Sequence, residues 1–346
     1  MGRRLLWASL VLGPLVILLH YVSDIGDVSE FLLAAVALIP LAWLIGEATE
    51  HASHHTGAGV GGFLNATFGN APELIIALIA LNQGLTEVVR GSLTGSVVGN
   101  LLLVLGFSLA LGGRGKIDRA SSFTSLMLVG LATLLFFIPS IPGWSGDPDR
   151  HALAVISLPV AICLLAVYVG VTWRSLRRHH QSHVAEDPAE MAGWSFRHSI
   201  AVLGMATVVT AFVAEVLVGS IETFADAAGL SDFFVAAVIV AIVGNAAEHG
   251  GAVVIARRGN IRLAAEIALA SSAQVAVFLI PAVAVISWAI DPLSLAFRPV
   301  ELGVLAGATV LTAILIRDGH STRTKGVILI GGYVLAALAF YLAGDR

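Results

Sequence analysis

Two glutamates stand at matched positions in two long apolar stretches of the chain. Gly69-Asn70-Ala71-Pro72-Glu73 and Gly244-Asn245-Ala246-Ala247-Glu248 share a glycine, an asparagine and, three residues after the asparagine, the glutamate. A carboxylate at membrane depth is expensive, so it usually faces a cavity in which it has a function. The glycines loosen their helices, and the proline of the first motif removes a backbone donor directly before its glutamate. The pattern predicts two functional acids beside exposed carbonyl oxygens.

Further polar side chains lie at comparable depth in neighbouring apolar stretches. Carboxylates together with hydroxyl, amide and carbonyl oxygens form a hard site that suits Ca²⁺, which takes about six to eight oxygen ligands. Zinc usually requires His or Cys ligands in a tetrahedral array. Serines in membrane helices also serve packing alone, so both roles stay open for them. The predicted cation-binding residues are Gly69, Asn70, Glu73, Ser96 and Asn100 in the first half, and Gly244, Asn245, Glu248, Ser271 and Gln274 in the second.

Proton exchange is expected on the same two glutamates. His249 adjoins Glu248 and titrates near neutral pH, so it is either a third proton carrier or a structural hydrogen-bond partner. Four more acids lie towards the ends of their apolar stretches and are either access groups for cations and protons or interfacial charges. These four are Glu47, Glu50, Glu215 and Glu222.

A buried pair of carboxylates has a simple charge requirement. Two ionised carboxylates repel strongly in a low dielectric, and an isolated buried charge costs several kcal/mol. One divalent cation neutralises both acids, and two protons do the same. The pair therefore predicts obligatory exchange of a divalent cation for protons without ATP. No phosphate-binding loop of the Gly-x-x-x-x-Gly-Lys-Ser/Thr kind occurs in the sequence, as secondary transport requires.

The composition of the chain places these residues in a membrane. Of the 346 residues, 57% are hydrophobic and 12% are charged, with a mean hydropathy of +0.91. A soluble domain carries about twice that share of charge, whereas runs of about 20 apolar residues span a bilayer as helices. The single cysteine, Cys163, lies in an apolar run and predicts neither a disulfide nor a thiolate metal site.

These runs predict an all-α integral membrane protein with eleven transmembrane helices. The predicted spans are 5–22, 30–50, 61–81, 91–111, 121–140, 152–173, 198–220, 233–256, 263–289, 299–316 and 325–343. With the N-terminus inside, 15 of the 19 Lys and Arg residues fall in inner segments, as the positive-inside rule requires. The N-terminus is thus predicted to be cytoplasmic and the C-terminus outside. Short loops without organelle signals favour a plasma (inner) membrane.

The expected partners follow from this environment. The substrates are divalent cations and protons, the surrounding partner is the lipid bilayer, and neither a cofactor nor nucleic acid nor an enzymatic activity is expected. The sequence leaves a homo-oligomer open.

The two motifs belong to an internal repeat with an offset of 175 residues. At this offset Glu47 matches Glu222, Gly84 matches Gly259 and Ser96 matches Ser271. Five spans per copy is an odd number, so the copies enter the membrane from opposite sides. Such inverted repeats are common in secondary transporters, with the substrate site where the repeats meet. The predicted units are an N-terminal helix (1–28), a first five-helix repeat (29–173), a cytoplasmic linker (174–197) and a second five-helix repeat (198–346).

The motifs resemble those of the calcium/proton exchanger (CAX) family of the cation/calcium exchanger superfamily. The similar stretches are GGFLNATFGNAPELIIAL at 61–78, GSVVGNLLLVLG at 95–106, AFVAEVLVGSIE at 211–222, IVGNAAEH at 242–249 and SSAQ at 271–274. The resemblance covers nearly the whole chain and implies that Glu73 and Glu248 bind the cation and exchange it for protons. The acidic stretch that the family often has between spans six and seven is reduced here to Glu186, Asp187 and Glu190. This puts calcium sensing by that linker in doubt, and an ordinary solvated loop or a His-rich metal sensor remains.

Three other functions share parts of this pattern. A sodium/calcium exchanger of the same fold needs extra monovalent sites, and Val275 stands where the first repeat has Asn100. An intramembrane metalloenzyme is indicated only by the imidazoles of Glu50-His51-Ala52-Ser53-His54-His55, without a His-Glu-x-x-His motif. A passive channel has a cation site but no obligatory coupling. The sequence also leaves open the choice among calcium, manganese and cadmium, and the stoichiometry.

Overall fold

The computed structural model describes residues 2–23, 25–56, 61, 64, 67–147, 149–179 and 193–345, of which 2–3, 175–179 and 247–249 are described in the backbone only. The helices of this part are α1 (Gly2–Ser9), α2 (Leu12–Val22), α3 (Asp27–His54), α4 (Ala71–Asn82), α5 (Thr86–Val98), α6 (Leu105–Gly112), α7 (Arg119–Gly143), α8 (His151–His179), α9 (Phe196–Gly219), α10 (Ile221–Ala228), α11 (Asp232–Phe234), α12 (Ala241–Gly244), α13 (Ala246–Arg257), α14 (Ile261–Gln274), α15 (Ile280–Ile286), α16 (Pro299–Ile316) and α17 (Arg323–Ala343). Three π-helical segments join α5 to α6, α11 to α12 and α14 to α15: Gly99–Val104, Val235–Val240 and Val275–Leu279.

Nine helices in the described part of the chain are long and apolar enough to cross a membrane. They coincide with all of the predicted spans except the third and the eighth. A tenth arises when α10 and the segment Asp232–Gly244, which meet at 107°, are counted as one. The predicted third span falls partly outside the described residues, and α4 is its described end. An all-helical membrane architecture is therefore confirmed, while the count of eleven stays a prediction.

Both glutamate motifs interrupt a helix. A turn at Gly69 and Asn70 precedes α4, and Pro72 lies in the first turn of that helix, where a missing N–H costs nothing. In the second motif α12 ends at Gly244, and α13 begins at Ala246 after a turn at Asn245. The predicted loosening at the two motifs is confirmed. The single helix predicted for 233–256 is wrong, because Asn245 divides it in two.

The two halves build the same local structures 175 residues apart. Helices α4 and α13 each have 12 residues, and a glycine with positive φ follows each of them: Gly84 at 78° and Gly259 at 93°. The long helices that come next, Thr86–Gly112 and Ile261–Ala289, both contain a π-helical segment near their middle. Matched sequence thus gives matched breaks, turns and helix irregularities.

Glycines allow the central helices to approach closely. Gly91 and Gly95 lie on one face of α5, against the backbone carbonyl oxygens of Phe233 and Ala237. A Cβ atom on Gly95 would overlap the Ala237 carbonyl group. Small residues four apart are a usual means of packing membrane helices, where dispersion contacts replace the hydrophobic drive. This packing joins the two halves of the chain beside the interrupted helices.

At one end of the bundle, two short strands join the halves a second time. β1 (Gly115–Lys116) pairs antiparallel with β2 (His320–Ser321), so that Gly115 is opposite Ser321. The strands lie directly after α6 and shortly before α17, and they fix the ends of these two helices relative to each other.

The close approach at Gly95 predicts a sharp difference between two glycine substitutions. Gly95→Ala forces the backbones of α5 and the Val235–Val240 segment apart, at a cost of about 1–3 kcal/mol in the free energy of unfolding. Gly130→Ala, in the spanning helix α7, meets no atom within 4 Å and should leave stability nearly unchanged. Thermal denaturation of the detergent-purified variants measures both effects. Equal melting temperatures for the two variants would contradict the packing described here.

Candidate cation-binding site

The interrupted helices place their motif residues at helix N-termini. Asn70 directly precedes α4, and Glu73 lies in the first turn of that helix. Asn245 directly precedes α13, and Glu248 is the third residue of α13, as Glu73 is of α4. The partial positive charge of a helix N-terminus stabilises a carboxylate within the first turn. The fold therefore lowers the cost of a negative charge at both glutamate positions.

Glu73 reaches from the first half of the chain to the second motif. It is 5% exposed, and a Cβ atom built on Gly244 would lie 3.5 Å from its Cγ and 3.8 Å from its Oε1. A glycine at position 244 thus leaves room for the carboxyl group beside the helix break. The side chains of Glu248 and His249 lie outside the described part of the structure, so their predicted roles remain predictions.

A buried polar network connects four of the other predicted residues. Asn245 Nδ2 donates to Ser96 Oγ at 2.8 Å and to the Ala241 carbonyl oxygen at 2.9 Å. Asn100 Nδ2 lies 3.3 Å from Asn245 Oδ1 and 3.0 Å from Ser271 Oγ. Every side-chain contact in this network joins the first half to the second.

A second contact of the same kind adjoins Glu73. Asn70 Nδ2 donates to Gln274 Oε1 at 3.3 Å, and Asn70 is fully buried whereas Gln274 is half-buried. Asn100 lies within the π-helical segment that begins at Gly99, and Gln274 directly precedes the one that begins at Val275. Segments of this kind are frequent at functional sites because they re-aim side chains and loosen the backbone ladder. Carboxylate, amide and hydroxyl oxygens from both halves therefore converge on one buried region.

This donor set is typical of a hard cation site. Within the described residues, no three His, Cys, Asp or Glu side chains come together as zinc or iron ligands would. Oxygen ligands of mixed type and flexible geometry suit calcium better than the strict octahedron of magnesium.

The four acids predicted to lie on an access path occupy different places. Glu47 is half-buried on α3, 3.6 Å from the Nε2 atom of His51, and Glu50 is exposed one turn further on. Glu215 is exposed on α9 and lines a crevice of ≈470 Å³ together with Asn82 and Gln83 at the end of α4. Glu222 is exposed on α10, a separate short helix, rather than on the span predicted for 198–220.

A network of buried charges was missed by the sequence analysis, which places Arg90 in an outer loop. Arg90 lies in α5, is 2% exposed, contacts Asp149, and donates to Ser294 Oγ at 3.0 Å. Glu87 lies 3.3 Å from Arg90 and 3.8 Å from Arg298. The spacing of Glu87 and Arg90 along one helix face indicates a pair, but the distant partners could not be found from the sequence.

Comparisons with known proteins agree with the geometry of the site. The family model "Sodium/calcium exchanger protein" matches residues 28–177 and 198–342. The chain belongs to the sodium/calcium exchanger protein family. This is a family of transporters rather than enzymes, and the resemblance to calcium/proton exchangers drawn from the two motifs is confirmed by the relatives of this exchanger.

These relatives match the exchanger over nearly its whole length. It is 35% identical to a protein of Synechocystis sp. named Ca²⁺/H⁺ antiporter, over 96% of this chain and 95% of that protein. It is 36% identical to the Ca²⁺/H⁺ antiporter ChaA of Bacillus subtilis, over 94% of each chain. The solved structure of native YfkE superposes with a TM-score of 0.84 at 32% identity, over 97% of this chain and 99% of that one.

The network at Asn100 predicts the effect of removing one amide. Asn100→Ala deprives Asn245 Oδ1 and Ser271 Oγ of a donor, and a buried group left unsatisfied costs about 1–3 kcal/mol. The melting temperature of the purified exchanger should therefore fall. The matched control is Asn82→Ala, which truncates an exposed asparagine at the end of α4. A melting temperature that falls equally in both variants would show that the network contributes nothing specific.

Proposed function

We propose that this exchanger is a secondary active antiporter that moves calcium, or a similar divalent cation, against protons. The observation that carries the proposal is Glu73, a buried acid in contact with the second motif at Gly244, among polar side chains contributed by both halves. Relatives that are similar over nearly the whole chain bear the name Ca²⁺/H⁺ antiporter.

The proposed mechanism follows from charge neutrality. We assign cation binding to Gly69, Asn70, Glu73, Ser96, Asn100, Gly244, Asn245, Glu248, Ser271 and Gln274, and proton exchange to Glu73, Glu248 and His249. The two glutamates carry either one divalent cation or two protons, because an empty pair of carboxylates in a low dielectric is too costly. Only loaded sites then change their exposure from one side to the other, and this couples the two fluxes.

Eleven transmembrane helices with two inverted five-helix repeats fit this mechanism. The support is the recurrence, 175 residues apart, of two 12-residue helices, two positive-φ glycines and two π-helical segments. In this architecture the repeats are 29–173 and 198–346, with the helix 1–28 and the linker 174–197 outside them. Repeats of opposite orientation offer two equivalent gates around one central site.

The proposed orientation rests on the loop charges. The inner segments hold most of the Lys and Arg residues when the N-terminus is cytoplasmic and the C-terminus outside, in a plasma (inner) membrane. Glu47 and Glu50 are then near the inner end of α3, and Glu215 and Glu222 near the outer side. We assign these acids to access paths for cations and protons, and we leave open whether the exchanger forms a homo-oligomer.

A sodium-coupled exchange is the second candidate, since the matching family model carries both ions in its description. Val275, buried at the position that corresponds to Asn100, argues against it because it removes a polar ligand from the second half. Replacing sodium with choline at a fixed pH gradient should leave calcium flux unchanged. A flux that requires sodium would replace the proton mechanism with this alternative.

The first test of the proposal is neutralisation of the described glutamate. Glu73→Gln in proteoliposomes should reduce proton-gradient-driven ⁴⁵Ca²⁺ uptake by at least about tenfold, since a loss of only 1.4 kcal/mol in cation binding has that effect. Glu266→Gln is the control, because Glu266 pairs with Arg262 on the protein surface at 3.1 Å. Uptake that persists in Glu73→Gln and depends on the pH gradient would refute the site.

The second test is the pH dependence of cation binding. Protons compete for the carboxylates, so acidification should raise the apparent Kd for calcium, by up to about 100-fold per pH unit when two protons are displaced. Equilibrium ⁴⁵Ca²⁺ binding to the purified protein at several pH values measures the slope. A tenfold slope would reduce the proton number to one, and a slope of zero would contradict competition.

A further inference from the structure

A basic pocket opens where two spanning helices meet the membrane surface. It has a volume of ≈550 Å³ and lies between the end of α6 and the start of α17. Its lining residues are Gly112, Gly113, Arg114, Thr322, Arg323 and Thr324. None of these carries a negative charge, and none belongs to the proposed cation site. We propose that this pocket binds the phosphate group of an anionic phospholipid.

The two arginines are held on one rigid frame. Arg114 directly precedes β1, and Arg323 begins α17 two residues after β2, so the paired strands link them. Ser321 Oγ donates to the Gly113 carbonyl oxygen at 2.6 Å, and Gly115 is opposite Ser321 in the strand pair. The Nε atom of Arg323 lies 3.8 Å from the place of a Cβ atom on Gly113. Because this frame positions both side chains in advance, a ligand that bridges them loses less conformational entropy.

The acids next to the pocket are occupied by other cations. Lys325 Nζ donates to both carboxylate oxygens of Asp318 at 2.6 Å, and this contact holds the pKa of Asp318 below its ordinary value. Asp118 contacts Arg262 at 2.6 Å. Within the described residues, Arg114 and Arg323 are exposed and have no carboxylate within 4.0 Å. Their guanidinium groups are thus available, and their planar fork matches the geometry of a phosphate.

Apolar side chains beside the pocket indicate a lipid rather than free phosphate. The helices that end at the pocket are both candidate membrane spans, Thr86–Gly112 and Arg323–Ala343. On their membrane side Phe107, Leu111 and Val327 are exposed by 40%, 50% and 61%. Leu111 follows Phe107 by four residues and Val327 follows Arg323 by four, so each helix carries its apolar residues on one face. A phospholipid satisfies both parts of this surface, with phosphate on the arginines and acyl chains on the apolar face.

The inference is independent of the transported ion. In the proposed orientation the pocket lies in the cytoplasmic leaflet, where a basic residue near an anionic surface contributes about 1 kcal/mol to attraction. The other Lys and Arg residues of that face contribute to the same general attraction. The pocket differs from them because two arginines, a fixed frame and an apolar face occur together.

Native mass spectrometry of the purified, detergent-solubilised exchanger tests the proposal. Phosphatidylglycerol should stay bound to the wild type while phosphatidylcholine does not, and 10-fold excess inorganic phosphate should not displace it. In R114Q/R323Q, phosphatidylglycerol binding should weaken by at least about 30-fold, which corresponds to the loss of two such basic residues. R257Q/R258Q is the matched control, because it removes two arginines from the same predicted face outside the pocket.

Several results would overturn the proposal. Equal weakening in R114Q/R323Q and R257Q/R258Q would mean a general charge effect, and unchanged binding in both would mean that no site exists. Displacement of the lipid by inorganic phosphate would assign the pocket to a free anion. Where R114Q/R323Q does not yield monodisperse protein, R114K/R323K keeps the charge but loses the guanidinium fork. This variant should bind phosphatidylglycerol several-fold more weakly, and wild-type binding by it would refute recognition by the two arginines.

Discussion

A polar group inside a membrane protein needs a partner from the protein itself, because lipid supplies none. This constraint explains the arrangement at the centre of the exchanger. The carboxylate of Glu73 lies at the positive end of a short helix, and the amides of Asn100 and Asn245 bond to each other and to serines. Nearly all of these bonds cross from one half of the chain to the other. The site is therefore also what holds the two halves in register.

The same constraint accounts for the helix breaks. An interrupted helix exposes N–H and C=O groups that would be intolerable against lipid, but α4 and α13 begin inside the bundle, beside Asn70 and Asn245. Close packing of α5 on the Val235–Val240 segment, through Gly91 and Gly95, keeps lipid away from this region. Tight glycine contacts and loose helix ends thus occur side by side. A transporter needs both, since the scaffold must stay packed while the groups at the site exchange their ligands.

The buried charges around Arg90 are a second solution to the same problem, at another place in the fold. Arg90, Asp149 and Ser294 come from three distant segments, and Arg298 places its guanidinium group 3.8 Å from the ring centroid of Phe233 and 3.3 Å from Glu301. Here the charges neutralise one another permanently, whereas at the proposed cation site the compensating charge is the transported ion. The basic pocket at Arg114 and Arg323 differs from both, because its charges have no protein counter-ion among the described residues.

The sequence by itself determined the membrane environment, the two motifs and the positions at which their helices break. These properties depend on composition, on the cost of a charge in an apolar run and on the local effects of Gly, Asn and Pro, all of which act over a few residues. It did not reveal the buried position of Arg90, the separate helix that carries Glu222 or the division of 233–256 at Asn245. Only the tertiary structure decided that Glu73 lies against Gly244 and that Asn100 bonds to Asn245 and Ser271. Contacts between residues 145 to 171 positions apart depend on how whole helices pack, and helix packing is set by the summed shape of many side chains rather than by any one motif.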